Sequence, residues 1–261
     1  MHTIRNYIMA ESLEQAWELN QKGRNNVIIG GNLWLKMGNR NILNAIDLST
    51  LGLDRIEEDE GGFRIGCMAT LRDIEIHEGL NKEFQNLFKE AVRHIVGVQF
   101  RNCATVGGSI FPKLGFSDVL TAFLACDTQV ILYKKGEVSL REFIYMPTDN
   151  DILTHIYVKK DGRKTAYESF RMTETDFPTL TCAMAMVDGR FETVLGARPK
   201  HAEVVIDEEL ADSLSKEDVA SYAKRVIDKL QYGSNIRGSK QYRKQLSKVL
   251  ISRCISRLTE E

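Results

Sequence analysis

Leu13, Ala16, Trp17 and Leu19 recur at the three- and four-residue spacing of one helix face. Ser12, a residue type that caps helix starts, stands before them and Gly23 closes the segment, so residues 11–23 are predicted to be helical. The run Val27-Ile28-Ile29 is short, β-branched and uninterrupted, the pattern of a strand buried on both faces, and it stops at Gly30-Gly31. A helix-like stretch follows, and Ala45-Ile46-Asp47-Leu48 reads as a second short strand. Strand, turn, helix and strand in that order predict a small parallel unit.

From residue 52 to 160 the pattern changes. Gly61-Gly62 separates alternating segments at Leu53 to Glu57 and Phe63 to Cys67, which predicts a hairpin. Helical periodicity returns at Leu71 to Ile76 and at Phe84 to Ile95, with strand-like runs at Val130 to Tyr133 and Ile152 to Val158. Strands are expected again at Tyr167 to Arg171, Leu180 to Val187 and Phe191 to Leu195, and Asp188-Gly189 supplies a two-residue turn between the last two. After Pro199 the pattern turns helical, first Val219 to Leu230 and then an apolar stripe of Tyr242, Leu246, Val249, Leu250 and Leu258. Lys240, Arg243, Lys244, Lys248, Arg253 and Arg257 alternate with that stripe without interleaved aromatics, so they read as a solvated or inter-subunit helix face and not as a nucleic-acid surface. The fold class is mixed α+β.

Composition narrows this picture without redirecting it. The 261 residues carry 35 Lys plus Arg against 36 Asp plus Glu, a formal net charge of -1, so no general polyanion-binding surface is expected. The 43% apolar fraction never gathers into the roughly 18 consecutive apolar residues of a membrane span. No basic segment followed by a long apolar stretch stands near Met1, and the reading is a cytoplasmic protein with no membrane partner. Cys67, Cys103, Cys126, Cys182 and Cys254 form no Cys-x-x-Cys pair and sit among apolar neighbours, as structural thiols do. His2, His77, His94, His155 and His201 are dispersed, and no metal is expected on this chain.

Two double glycines carry candidate chemistry: Gly30-Gly31, followed by Asn32-Leu33, and Gly107-Gly108, followed by Ser109. A side-chain-free turn lets backbone N–H groups approach a phosphate, and two such bends could grip a diphosphate from both sides. Thr105 and Ser109 add hydroxyl donors, and Asp118 could accept from a sugar hydroxyl. A lone Gly-Gly is ordinarily no more than a tight turn, as the hairpin at Gly61-Gly62 illustrates, and composition alone does not overturn that reading. Gly233-Ser234-Asn235-Ile236-Arg237-Gly238-Ser239-Lys240 is similar to a phosphate-binding P-loop, but it ends in Ser-Lys and follows a helix where a strand is required, so it is read as a helix-helix connection. No G-x-G-x-x-G follows a strand, and neither G-x-S-x-G nor H-E-x-x-H occurs.

Ile29-Gly30-Gly31-Asn32-Leu33, the run from Ile95 through Gln99-Phe100-Arg101-Asn102-Cys103-Ala104-Thr105-Val106-Gly107-Gly108-Ser109-Ile110, and Ser117-Asp118 together resemble the FAD-binding subunits of the molybdenum hydroxylases. That is the medium-subunit family of xanthine dehydrogenase and carbon monoxide dehydrogenase, whose pattern runs A-G-G-T-x-L, then I-R-N-x-A-T-x-G-G-N, then S-D. Gly238-Ser239, Tyr242-Arg243, Leu246, Val249, Leu250 and Arg253 resemble its C-terminal helix. The resemblance implies a PCMH-type FAD-binding domain over residues 1–162, with a parallel α/β subdomain at 1–52 and an α+β subdomain at 53–162. A C-terminal domain at 163–261, with a three-stranded sheet and helices, would follow.

By the same resemblance Val27, Ile28, Ile29, Gly30, Gly31, Asn32, Leu33 and Trp34 form a first pyrophosphate loop. Thr105, Val106, Gly107, Gly108 and Ser109 form a second, Asp118 is a polar FAD contact, Ile95 lies near the flavin ring, and Leu153 and Arg171 also touch the cofactor. Asn32 stands where Thr is common, Ser109 where Asn is usual, and Trp34 adds a bulky ring. Met172-Thr173-Glu174-Thr175-Asp176-Phe177-Pro178 departs from the basic K-x-x-R-R-x-x-D-x-A pattern of many relatives.

The implied function is an oxidoreductase subunit in which FAD relays electrons from iron–sulfur centres to NAD or another acceptor, in purine, xanthine or other N-heterocycle oxidation. No catalytic acid or base is required of this chain. The five cysteines are not clustered, so [2Fe–2S] clusters and molybdopterin are expected on partner subunits. Two other readings stay open: a flavin-free scaffold subunit of such a complex, and a stand-alone flavin reductase.

Overall fold

A computed structural model describes residues 3–207 and 215–259. By the density of their internal contacts these fall into two compact units. The first comprises the described residues through Ile74 with Val98–Pro112 and Thr128–Val158; the second comprises Glu75–Gly97, Lys113–Asp127 and the described residues from Lys159 on.

The first unit begins with a three-stranded sheet of β1 (Thr3–Met9), β2 (Asn26–Ile29) and β3 (Asn41–Asp47) in the order β1-β3-β2, with both pairings parallel. β1 has no counterpart in the sequence reading, because most of its residues are exposed and it shows no apolar run. The central strand is β3, where Ile42, Ala45 and Ile46 are buried. β2 lies at an edge with Val27 and Ile28 half-buried, so its uninterrupted apolar run does not mark a strand buried on both faces. The helix Leu13–Gln21 forms as predicted, with Ser12 Oγ accepting from the Gln15 N–H at 3.1 Å. The helix-like stretch after Gly31 reduces to one 3-10 turn, Leu35–Met37.

A five-stranded sheet completes this unit: β4 (Ile56–Glu58), β5 (Gly62–Gly66), β6 (Thr128–Leu132), β7 (Gly136–Ser139) and β8 (Leu153–Lys159), in the order β4-β5-β8-β6-β7. The hairpin read at Gly61-Gly62 is present, but its turn is centred one step earlier. Asp59 Oδ1 accepts from the N–H groups of Gly61 and Gly62, both at 2.7 Å, and Gly62 already belongs to β5.

In the second unit β9 (Lys164–Phe170), β10 (Leu180–Val187), β11 (Arg190–Gly196) and β12 (Glu203–Ile206) form an antiparallel sheet in the order β12-β11-β10-β9. The three strands read from the sequence are joined by a fourth, β12, in a stretch read as helical. Asp188 and Gly189 have φ of 49° and 75°, the paired left-handed values of a two-residue hairpin, and connect Val187 to Arg190 as predicted. The helices Lys216–Asp228 and Lys240–Thr259 pack on this sheet around Leu180, Cys182, Leu195, Val226, Leu250 and Ile251.

The helix read from Phe84 to Ile95 is shortened to Leu87–Val92, because Gln85 and Asn86 adopt φ of 44° and 62° ahead of it, and these two residues separate it from an earlier helix, Glu78–Glu83. Leu87–Val92 packs against the helix Asp118–Leu124, with the rings of Phe88 and Phe123 4.6 Å apart. Among the described residues no helix is long and apolar enough to cross a membrane. No group of three or more His, Cys, Asp or Glu there could hold a metal, and His2 lies outside the described residues.

Candidate functional site

The first unit brings the two candidate bends together. β2 ends at Ile29, and the chain turns through Gly30 and Gly31 directly against the segment that precedes the short helix Val106–Ile110. A Cβ at Gly30 would lie 2.3 Å from Thr105 Oγ1, and one at Gly31 would lie 1.6 Å from the Cys103 carbonyl oxygen. Only bare backbone can come this close. Asn32 then takes a left-handed φ of 56°, a conformation asparagine tolerates, and Trp34 sets its ring edge-on to Phe100 with centroids 5.2 Å apart. Among the described residues, residues 30–33 donate no backbone hydrogen bond in the turn, and the buried Asn32 Oδ1 has no partner. A run of amides not claimed by the protein is what an oxyanion would need. A phosphate linker fits the first bend on these grounds.

The second bend works differently from the expectation. The Val106 and Gly107 amides donate to the carbonyls of Ala69 and Cys67 at 2.8 and 2.9 Å. The Gly108 amide donates to Thr105 Oγ1 at 3.1 Å and the Ser109 amide to the Thr105 carbonyl at 3.1 Å. Ser109 Oγ is also turned back, donating to that carbonyl at 2.9 Å. These four amides hold the fold, so a twofold grip through both sets of backbone N–H groups is not what the geometry provides. Gly107 is glycine because a Cβ there would meet the Cβ and carbonyl oxygen of Cys67, each at 2.7 Å. The second bend is therefore the rigid floor on which the first rests. Leu153 belongs to the same assembly: it is buried at the start of β8, and the next residue, Thr154, accepts from the Cys67 N–H at 2.8 Å. Burial pushes the Cys67 thiol up to about 12, so it packs as a neutral group.

Cys103 corrects the reading of the cysteines as buried thiols. Four are buried, but Cys103 is exposed, since the Gly31 contact engages its carbonyl and leaves its side chain outward.

Within the second unit lie Ile95, Asp118 and Arg171. Ile95 is 7% exposed and follows the helix Leu87–Val92, its amide donating to the Val92 carbonyl at 2.8 Å. Val96, next in sequence, has φ 50°, a strained value for a β-branched residue. Asp118 is the first residue of its helix, behind the Ser117 cap, and its carboxylate is buried. It accepts from the Tyr167 hydroxyl at 2.5 Å and pairs with Arg171 Nη2 at 2.7 Å. Burial pushes the Asp118 carboxyl above its ordinary range, against the pull of Arg171 and Tyr167, and burial together with the Asp118 charge holds the Tyr167 hydroxyl well above its own. Tyr167 escaped the sequence reading because a tyrosine inside an apolar strand pattern shows nothing of the hydroxyl's partner.

The P-loop-like segment proves to be a connection of opposite polarity. The Arg243 guanidinium is buried beneath it and donates to the carbonyls of Gly233 at 3.0 Å, Gly238 and Thr179 at 2.9 Å, and to Asn235 Oδ1 at 2.6 Å. Its carbonyls, not its amides, converge inward. Arg243 thereby leaves the basic helix face on which the sequence reading placed it.

The family described as FAD binding domain in molybdopterin dehydrogenase matches residues 2–158. The glyceraldehyde dehydrogenase medium chain of Sulfolobus acidocaldarius is 26% identical, over 94% of each chain. The alpha subunit of the 6-hydroxypseudooxynicotine dehydrogenase complex of Paenarthrobacter nicotinovorans is 23% identical, over 96% of this chain and 93% of that one. Among solved structures, a chain of the carbon monoxide dehydrogenase of Hydrogenophaga pseudoflava, in a form lacking the Mo-pyranopterin moiety of its molybdenum cofactor, shares the fold with a TM-score of 0.84 at 22% identity over 96% of each chain.

Proposed function

The chain belongs to the family of FAD-binding domains of molybdopterin dehydrogenases, and from that membership we propose that it is the flavin-carrying medium subunit of a molybdenum hydroxylase complex. The observation that carries this reading is the first bend, where residues 30–33 present amides with no backbone acceptor while Gly30 and Gly31 rest on Thr105 and Cys103. In this reading Val27, Ile28, Ile29, Gly30, Gly31, Asn32, Leu33 and Trp34 hold the diphosphate. Thr105, Val106, Gly107, Gly108 and Ser109 fix the position of that bend, and Leu153 backs it. Ile95, Asp118 and Arg171 complete the cofactor-binding set. The cofactor domain is residues 1–162 and the C-terminal domain 163–261, a division supported by the family match ending at residue 158.

FAD, when bound, supplies a centre able to take electrons singly and release them as a pair. The protein's part is binding, orientation and electrostatics, with no side chain acting as acid or base. Iron–sulfur and molybdopterin centres are assigned to partner subunits, as the words medium chain and complex subunit in the relatives' names support. For the complex we propose an N-heterocycle substrate, supported by the nicotine-derived name of one relative, with the aldehyde named for another as the alternative, NAD or another acceptor downstream and the cytoplasm as location.

Purified chain reconstituted with FAD tests the reading: stoichiometric flavin absorbance supports it, and its absence leaves the flavin-free scaffold. Steady-state turnover by the isolated chain would mark a self-sufficient reductase instead. Isolation from native cells without a molybdenum or iron–sulfur subunit would overturn the assignment to a complex.

A further inference from the structure

β1 closes its sheet with an edge on which no strand is laid among the described residues, since the order is β1-β3-β2. A bare edge is a template for pairing, and proteins ordinarily blunt one by keeping it short, charged, bulged or covered. The edge strands β2, β4, β7 and β12 are three or four residues long, and Glu57 and Glu58 charge β4. β9 is as long as β1, but Thr165, Ala166 and Tyr167 within it are buried. β1 has none of these protections. It runs for seven residues beside β3 without a register shift, its one charge is Arg5, and Thr3, Arg5, Asn6, Tyr7 and Met9 are exposed. Tyr7 and Met9 are 57% and 52% exposed, so large apolar groups stand along the open edge.

A row of asparagines runs out to that edge and stops there. Asn26, Asn44 and Asn6 occupy paired positions on β2, β3 and β1. Asn6 Nδ2 donates to Asn44 Oδ1 at 3.0 Å, Asn44 Nδ2 to Asn26 Oδ1 at 2.9 Å, and Asn26 Nδ2 to the Leu19 carbonyl at 2.6 Å. Each amide thus gives a donor to the next, and the row ends with Asn6 Oδ1 and one Asn6 N–H unmet among the described residues. Only a group that both donates and accepts can continue it, as another amide does.

Asn6 is also the middle residue of β1, between Thr3-Ile4-Arg5 and Tyr7-Ile8-Met9. An antiparallel copy of the strand, related by a twofold axis at Asn6, would set Asn6 against Asn6, Arg5 against Tyr7, Ile4 against Ile8 and Thr3 against Met9. Three of these pairings are chemically matched. The two amides exchange donor and acceptor, and the isoleucines meet as β-branched cross-strand neighbours. Arg5 has no carboxylate partner among the described residues, while the Tyr7 hydroxyl donates to Asp47 Oδ2. The guanidinium of one copy would therefore reach an aromatic ring and a carboxylate of the other.

We propose that β1 is the interface for a second copy of this chain, joined edge to edge in a twofold antiparallel pair centred on Asn6, which makes one continuous sheet of the two three-stranded ones. Backbone pairing supplies the attachment, and the self-matching side chains set the register. The interface does not depend on the flavin reading.

Sedimentation velocity on the full chain from about 1 to about 100 μM is expected to show a monomer passing into a dimer, as a small edge interface would give. Arg5→Glu alters an exposed residue without a partner, and Asn6→Asp sets two carboxylates face to face. Each is expected to weaken the dimer about tenfold or more, with the melting temperature of the dilute monomer unchanged in Arg5→Glu. Cross-linking in a Cys103→Ser background reads the register: Asn6→Cys is expected to give a disulfide-linked dimer under mild oxidation, and Arg5→Cys is not. A chain that stays monomeric throughout the range would overturn the proposal, as would a dimer that both charge changes leave intact. Cross-linking through Arg5→Cys in preference to Asn6→Cys would overturn the twofold register. Amide exchange in β1 that a different protein slows, and that raising the concentration of this chain does not, would assign the edge to that protein and overturn the second copy as its occupant.

Discussion

Gly31 rests against the main-chain carbonyl of Cys103 so closely that a methyl group at residue 31 would lie 1.6 Å from the oxygen. The obstacle is backbone and cannot rotate away. Gly31→Ala is therefore expected to separate the two bends, destabilising the protein by about 1–3 kcal/mol and abolishing flavin retention. Gly30 offers a contrast, because its added Cβ would meet a side-chain atom, Thr105 Oγ1, at 2.3 Å. Gly30→Ala combined with Thr105→Ala should recover part of the stability that Gly30→Ala loses, whereas the same partner change should not rescue Gly31→Ala. Thermal melts and flavin-to-protein ratios of the four variants check this.

Gly107 lies in the other bend but answers to a different constraint. The space its Cβ would need is filled by Cys67, and its amide is bound to the Cys67 carbonyl. Gly107→Asp is thus expected to destabilise the flavin-free protein as much as the flavin-loaded one, by overpacking and by burying a carboxylate without a partner. Repulsion of a phosphate would instead spare the flavin-free form. Denaturant titrations of both forms, compared with Gly108→Ala as the milder control, distinguish the two causes.

How much of this was legible in the sequence varies with the kind of contact. The Asp188-Gly189 hairpin and the Ser12 cap are local: residue type and spacing decide them, and both stand where the pattern put them. The two Gly-Gly bends were visible as bends, and the family resemblance joined them, but nothing in the chain says that the Gly107 amide binds Cys67 while residues 30–33 stay unclaimed. β1 was missed because its residues are mostly exposed and carry no apolar run, while the short run Val204-Val205-Ile206 of β12 lies in a stretch that was read as helical. Arg243 was placed on a solvated face because helical periodicity gives a residue's angle and not what lies over it; here the 233–240 connection folds its carbonyls onto that face. Tyr167 and Asp118 stand 49 residues apart, and their bond exists only once β9 and the helix Asp118–Leu124 are assembled.

Cys103 is the exposed cysteine among the five, at the contact between the bends. In the native flavin-free protein one thiol is expected to react promptly with a disulfide reagent, with the remaining four requiring denaturant. Bound FAD should slow the reaction of Cys103 severalfold if the first bend holds its diphosphate. Equal rates with and without FAD would count against that assignment, and Cys103→Ser should remove the fast phase while leaving flavin binding intact.

His155, half-buried in β8, provides a pH signature. Burial lowers its pKa from the ordinary 6.5, aided by the Arg64 charge and opposed by Glu57. Because the folded value lies below the unfolded one, the unfolded chain binds more protons as the pH falls. The contribution of neutral His155 is complete above pH 6.5 and is lost as the pH drops from there through the folded value. The ring is partly reached by solvent, so the slope should be well below the one-proton limit of about 1.4 kcal/mol per pH unit. His155→Gln should flatten that part of the stability profile, measured by urea unfolding between about pH 7.5 and about pH 5.

Arg243 gives the last prediction, because its charge is buried with oxygen acceptors and, among the described residues, no carboxylate pairs with it. Four partners, the carbonyls of Thr179, Gly233 and Gly238 and Asn235 Oδ1, share one guanidinium across the connection between the two C-terminal helices. Lysine keeps the charge but is a point donor on a flexible stem and cannot reach all four in one plane. Arg243→Lys is expected to cost about 3 kcal/mol or more, since several buried carbonyls lose their donor at once. If residues 233–240 are the structural connection seen here and no nucleotide site, the flavin-to-protein ratio of the folded fraction should stay at the wild-type value and ATP should not raise the melting temperature of either protein. Stabilisation of the wild type by ATP, lost in Arg243→Lys, would restore the P-loop reading that the inward-facing carbonyls exclude.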